Sequence, residues 1–95
     1  MQINYTTNAF HSLTQLVNYI ELKNKQGSGL RWLSRFENFL EKKLQSAFQI
    51  KLCNNTTFYQ LNLRCIYFND WVVAFSVHED TVLIEALLHR SRISD

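Results

Sequence analysis

The chain has no proline and only two glycines, and both glycines fall in one short stretch, Gln26-Gly27-Ser28-Gly29. Proline and glycine are the strongest local interrupters of regular structure, so the sequence on either side of this stretch can run in long elements. Before it, Phe10, Leu13, Val17 and Ile20 recur at i, i+3, i+7 and i+10, and Leu16 and Tyr19 widen the apolar stripe. That spacing predicts an amphipathic helix over residues 7 to 25, with Thr6 or Thr7 as its cap. After it, Leu33, Phe36, Leu40 and Leu44 repeat the helical period while Arg31, Arg35, Asn38 and Lys42 mark the opposite stripe. A second helix is expected from an N-cap at Ser28 to about residue 46. Two long helices joined by so short a turn lie antiparallel, as a helical hairpin.

Beyond the helices the period changes to two. Tyr59, Leu61, Leu63, Cys65 and Tyr67 alternate with Gln60, Asn62, Arg64 and Ile66, as in a half-buried strand. Trp71, Val73, Phe75 and Val77 form a second alternating run, and Val82, Ile84, Ala86 and Leu88 a third. The polar pairs Asn69-Asp70 and Glu79-Asp80 between these runs are short enough to force antiparallel hairpins. A short strand, Gln2 to Tyr5, precedes the first helix. Register follows from the loop length. A plain two-residue loop at Asn69-Asp70 puts Arg64 on the same face as Phe75 and Val73, which buries a charge. A loop one residue longer, Phe68-Asn69-Asp70, sets Tyr67 against Trp71, Cys65 against Val73 and Leu63 against Phe75, and makes one face uniformly apolar. The longer loop, or an equivalent bulge, is therefore expected, with the apolar face packed on the helical hairpin. The opposite face then carries Gln60, Asn62, Arg64, Ser76, His78, Thr81, Glu85 and His89, with Ile66, Val72, Leu83 and Leu87 among them. No further element is apparent to cover it, and residues 47 to 58 carry no readable pattern.

The order of strand, helical hairpin and three-stranded antiparallel meander is an α+β fold of two layers with one sheet face open, formed as a single domain by residues 1 to 95. A content of 46% hydrophobic against 19% charged residues excludes a disordered chain, and a net charge of +2 is far from that of highly basic nucleic-acid binders. No apolar run is long enough to span a bilayer, and the N-terminus lacks the basic and apolar regions of a secretory signal, so a cytoplasmic protein without a membrane partner is expected. In that compartment Cys53 and Cys65 read as ordinary thiols, and no cysteine or histidine cluster points to a metal or another cofactor. Gly27 and Gly29 lack the lysine and preceding strand of a phosphate-binding loop. Ser76, His78 and Asp80 lack the strained elbow of a hydrolase nucleophile.

The run from Trp71 to Arg92 contains an acidic turn (Glu79-Asp80), an aliphatic strand (Val82 to Leu88) and the ending Leu88-His89-Arg90-Ser91-Arg92. It resembles the RelE/ParE toxin superfamily, whose members close their sheet with such a turn, such a strand and a Leu-His-x-x-Arg-like segment. The helical hairpin is similar in length and position, and the likeness spans nearly the whole chain, residues 47 to 58 matching least. The resemblance implies a RelE/ParE-like fold and the toxin of a bacterial type II toxin-antitoxin pair, of the kind used in plasmid stabilisation, neutralised by a small antitoxin protein wrapped around it. Two activities occur in the superfamily. The RelE-like branch cleaves messenger RNA on the ribosome with basic, and sometimes His or Tyr, side chains of the open sheet face; the ParE-like branch poisons DNA gyrase and is not an enzyme. The ending Leu88-His89 with Arg92 is closer to the ParE-like pattern. Val72 stands where many RelE-like members carry an arginine, and no tyrosine follows His89.

The residues bear on the choice. RNA cleavage by 2′-hydroxyl attack needs a base, a cation for the phosphoryl charge and an acid for the leaving oxygen. In the expected register Arg64 and Glu85 both flank Ala74, close enough for a salt bridge or a shared site. Arg90 and Arg92 beside His89 favour neutral imidazole, the form a general base requires. Arg64, His89 and Arg92 are the catalytic candidates of the RelE-like reading. The apolar stripe Ile66, Val72, Leu83 and Leu87 offers an antitoxin helix or added strand a place to bury surface, with Trp32 and Phe39 either joining it or belonging to the core. The leading expectation is a ParE-like toxin acting by binding. The alternatives are a ribosome-dependent endoribonuclease and a degenerate, non-toxic interaction module.

Overall fold

The computed structural model describes residues 1–93 of the chain. Strand β1 (Gln2–Tyr5) leads into helix α1 (Thr7–Lys23), followed by helix α2 (Ser28–Lys43) and a 3-10 turn over Leu44–Gln49. A short helix, α3 (Thr56–Gln60), precedes strands β2 (Arg64–Phe68), β3 (Trp71–His78) and β4 (Thr81–His89), and a 3-10 turn over Arg90–Arg92 follows. The result is a small α+β domain in which a four-stranded mixed sheet has the order β1-β4-β3-β2. Strands β2 to β4 form the antiparallel meander, and β1 pairs parallel to β4 at the edge. Among the described residues no helix is long and apolar enough to cross a membrane.

The two long helices form where the apolar period places them. Thr6 caps α1, its hydroxyl accepting from the Ala9 amide at 3.1 Å. The N-cap of α2 is Gly27 rather than Ser28, because the turn needs a left-handed residue and Gly27 sits at φ 87°. The opening amides of α2 are satisfied from the other helix. One carboxylate oxygen of Glu21 accepts from the Gly27 amide at 2.7 Å and the other from the Gly29 amide at 2.9 Å. These two bonds hold the Glu21 carboxyl below its usual range, and Arg31 adds to the effect. At Gly29 the helices touch: a Cβ there would lie 2.7 Å from the Val17 carbonyl oxygen.

Helix-facing residues of the sheet meet Leu13 and Leu16 of α1 and Trp32, Phe36 and Leu40 of α2 in the main core. Phe68 sits inside an aromatic group, its ring centroid 5.7 Å from Trp32, 5.5 Å from Phe36 and 5.0 Å from Phe39. That burial decides the register of the first hairpin against expectation. The loop is the plain Asn69-Asp70 pair, with Phe68 opposite Trp71, Ile66 opposite Val73 and Arg64 opposite Phe75. Asn69 takes the required left-handed conformation at φ 54°. The objection that this register buries a charge fails because Arg64 is the first residue of β2 and its guanidinium donates to the Ile50 carbonyl. The expected Arg64–Glu85 pairing fails with it, since Ala86 and not Glu85 lies opposite Ala74.

A bulge interrupts β4. Ala74 pairs with Ala86 and Phe75 with Ile84, leaving Glu85 without a partner in the ladder. Val82 and Ile84 before the bulge, and Leu87 after it, all belong to the helix-facing core.

The second sheet face is partly covered, contrary to expectation. Residues 59 to 63 do not extend the first meander strand: α3 occupies Thr56–Gln60, Asn62 turns the chain at φ 61°, and β2 begins only at Arg64. The segment from Ile50 to Leu63 bends round the outer edge of β2, where Leu52 forms a bridge to Arg64, and lies over Ala74 and Ala86. Cys53 and Cys65 are joined there in a disulfide, so neither is the free thiol the sequence suggested. The physical reason is the register: Cys65 opposite Ala74 points away from the helices, towards the returning segment.

Candidate functional site

The residues singled out by sequence do not gather on one open face. Ile66 and Leu87, 6% and 4% exposed, lie in the helix-facing core. Val72 is buried on the other face in a small hollow with Tyr67, Arg90 and Ile93, and Leu83 is half-buried opposite Ser76. The four therefore form no continuous stripe. The bulge and the shifted hairpin register together account for this, since each moves residues across the sheet. Trp32 belongs to the core, stacked on Phe36 at 5.0 Å between ring centroids, and Phe39 packs partly buried against it.

Two of the three catalytic candidates do meet. His89 and Arg92 line a groove of about 640 Å³ between the end of β4 and α1, together with Ser12, Gln15, Tyr19 and Asp70. The bulge turns His89 to the helix side, where it pairs with Trp71 across the ladder and meets the indole edge to face, with centroids 5.2 Å apart. Its Nδ1 lies 2.8 Å from the Ser91 hydroxyl and accepts from the Ser91 amide at 3.2 Å. An amide only donates, so Nδ1 is the acceptor and the proton of the neutral ring sits on Nε2. In this arrangement the Nδ1 lone pair is occupied by the chain's own backbone. The neighbouring Arg90 turns away, its guanidinium 5.2 Å above the Tyr67 ring and its amide donating to the Asp70 carbonyl at 2.7 Å.

Arg64 stands apart. It begins β2 on the far side of β3 from His89, level with Phe75 while His89 is level with Trp71, and it is engaged by Ile50. The Ser76 hydroxyl and His78 Nε2 are 2.8 Å apart at the exposed end of β3, which is a surface pair without the burial a nucleophile's base requires.

Sequence reasoning missed the contribution of α1 to the groove. Ser12, Gln15 and Tyr19 recur at i, i+3 and i+7, a second stripe beside the apolar one that could have been read as a shared face. Tyr19 also receives Lys23, whose Nζ lies 5.8 Å from the ring centre. A second hollow of about 400 Å³ lies beside β1 and is lined by Ile3, Tyr5, Glu37 and Glu41 among others. There burial, reinforced by the charge of Glu37, pushes the Tyr5 phenol up to about 12.

In comparisons with known proteins, no family model and no curated protein matches the chain.

Proposed function

We propose that the chain is the toxin of a bacterial type II toxin-antitoxin pair, that it acts by binding an essential target in the ParE-like manner, with DNA gyrase as that target, and that an antitoxin silences it. The reading rests on the resemblance of the Trp71–Arg92 run to the RelE/ParE superfamily and is supported by the order of strand, helical hairpin and meander. The observation that favours binding over catalysis is the separation of Arg64 from His89 and Arg92. The half-buried Arg64 guanidinium is committed to the Ile50 carbonyl, and the Nδ1 lone pair of His89 is taken up by the Ser91 amide, so Arg64 and His89 do not face a common phosphate. Phe10, Tyr19 and Leu22 leave large apolar area exposed along α1, which suits a partner laid against that helix.

A ribosome-dependent endoribonuclease is the second reading, favoured by the common groove of His89 and Arg92. Induced expression of the chain alone in bacteria, with pulse labelling of DNA and protein synthesis over the first minutes, separates the two. An early block of DNA synthesis, unaffected by Arg64→Ala, is the expected result. A prompt fall in protein synthesis abolished by His89→Ala supports the endoribonuclease, and unchanged growth leaves a non-toxic interaction module.

A further inference from the structure

The segment over the second sheet face is held in an unusual way. Helix α3 buries none of its side chains, and Tyr59 and Leu61 stand 57% and 62% exposed. Hydrogen bonds that shape the segment include the Arg64 guanidinium to the Ile50 carbonyl, the Cys53 amide to Leu63 at 2.9 Å, the Leu63 amide to Phe58 at 3.0 Å and the Phe58 amide to the Asn55 side chain at 3.0 Å. These give the segment its form. Its seat on the sheet includes the Leu52–Arg64 bridge, the apolar contact of Cys53, Leu63 and Phe58 with Ala74, Cys65 and Ala86, and the covalent bond to Cys65.

We propose that Cys53–Cys65 is a redox-operated latch, which in the disulfide form pins residues 51–63 over the second face of the sheet and in the dithiol form lets them lift while the rest of the fold stays intact. The asymmetry of the two sulfurs gives the route. Cys53 is 2% exposed, whereas Cys65 is half-buried, which makes Cys65 the more accessible partner for the thiolate of an external dithiol. Attack forms a mixed disulfide with Cys65 and breaks the Cys53–Cys65 bond; Cys53 leaves as thiolate and takes up a proton. The second thiol of the reductant then displaces Cys65, so that two electrons and two protons pass from the dithiol to the protein and the reductant leaves as a disulfide. The main core lies across the sheet from the latch and contains neither cysteine. Without the covalent bond the segment stays anchored at its base by the Leu52–Arg64 bridge and the Arg64–Ile50 bond, while its part over Ala74 and Ala86 loses its strongest tie and can lift from that surface. The inference does not depend on the toxin reading, because it concerns the folded chain itself.

Hydrogen-deuterium exchange of the full chain, followed by peptide mass spectrometry with and without dithiothreitol, tests it. The disulfide should be reduced without denaturant, and exchange across residues 51–63 should accelerate by about tenfold or more beyond any change at the amides of β3 and β4, which stay the slowest in the chain. The variant carrying Cys53→Ala and Cys65→Ala should reproduce the reduced pattern with no reductant present. A bond that resists reduction until the chain unfolds, exchange that does not change on reduction, or loss of protection throughout the sheet would each overturn the latch. The last of these would make the disulfide a global staple instead.

Discussion

On the helix-facing side of the sheet the buried side chains are large and come from every layer, Phe36, Leu40, Phe75 and Ile84 being at most 1% exposed. On the other side the buried core cluster is Cys53, Leu63 and Ala74, and its cover is a short helix with no buried residue. One face is secured by area and close packing, which make local opening costly. The other is secured by a covalent bond over a modest contact, so its hold depends on the redox state of the surroundings. A stable body and a conditional cover can thus share the same strands, since neighbouring residues of a strand serve opposite faces.

Substitutions test that contrast. The largest effect is expected from Phe36→Ala, which removes a fully buried ring from the aromatic group and should cost about 3–5 kcal/mol in denaturant unfolding. Replacing both cysteines by serine should cost less, about 2–4 kcal/mol, because the disulfide closes a short loop and restricts the unfolded chain. If the serine pair costs more than Phe36→Ala, the second face is not the lightly held one. Gly29→Ala probes how the helical layer is positioned. Its new methyl meets the backbone of Val17, which cannot swing aside, so about 1–3 kcal/mol should be lost, with no change in reduction of the disulfide. The smallest effect concerns pH. Glu21 has a lowered carboxyl pKa in the folded chain, so the stability it contributes is present above the unfolded carboxylate range and is lost as pH falls through the folded value. Glu21→Gln should flatten that part of the stability profile between mildly acidic and strongly acidic pH, leaving the unlatching of residues 51–63 as it was.

Much of the stable body was readable from local pattern. A single glycine-bearing stretch and two apolar stripes define the hairpin, and alternation marks β3 and β4 over the spans observed. What resisted reading was decided at a distance. The first meander hairpin lies one residue away from the expected register because Phe68 enters the aromatic cluster and the Ile50 carbonyl takes up the Arg64 charge, and neither partner is visible in strand alternation. The face of Ile66 follows from the same shift, whereas the free thiols are expected from the compartment and the missing cysteine cluster, neither of which shows that residues 50–63 fold back to bring Cys53 to Cys65. In the candidate site, His89 and Arg92 are neighbours in sequence and both line the groove, whereas Ser12, Gln15 and Tyr19 reach it only through packing of α1 on the end of β4.

The unpaired residue in β4 sets the parity of everything downstream of it. Strict alternation from Val82 and Ile84 would continue through Ala86 and Leu88 on the helix side and would turn His89 outward. With Glu85 standing outside the ladder the count is offset by one, Leu87 enters the core and the imidazole swings in beside α1. Deleting one residue there, without altering any side chain that touches the groove, would empty the groove of its histidine and carry the C-terminal turn to the other side of the sheet. In related chains, an odd or even count between Val82 and His89 would therefore tell which side carries the histidine.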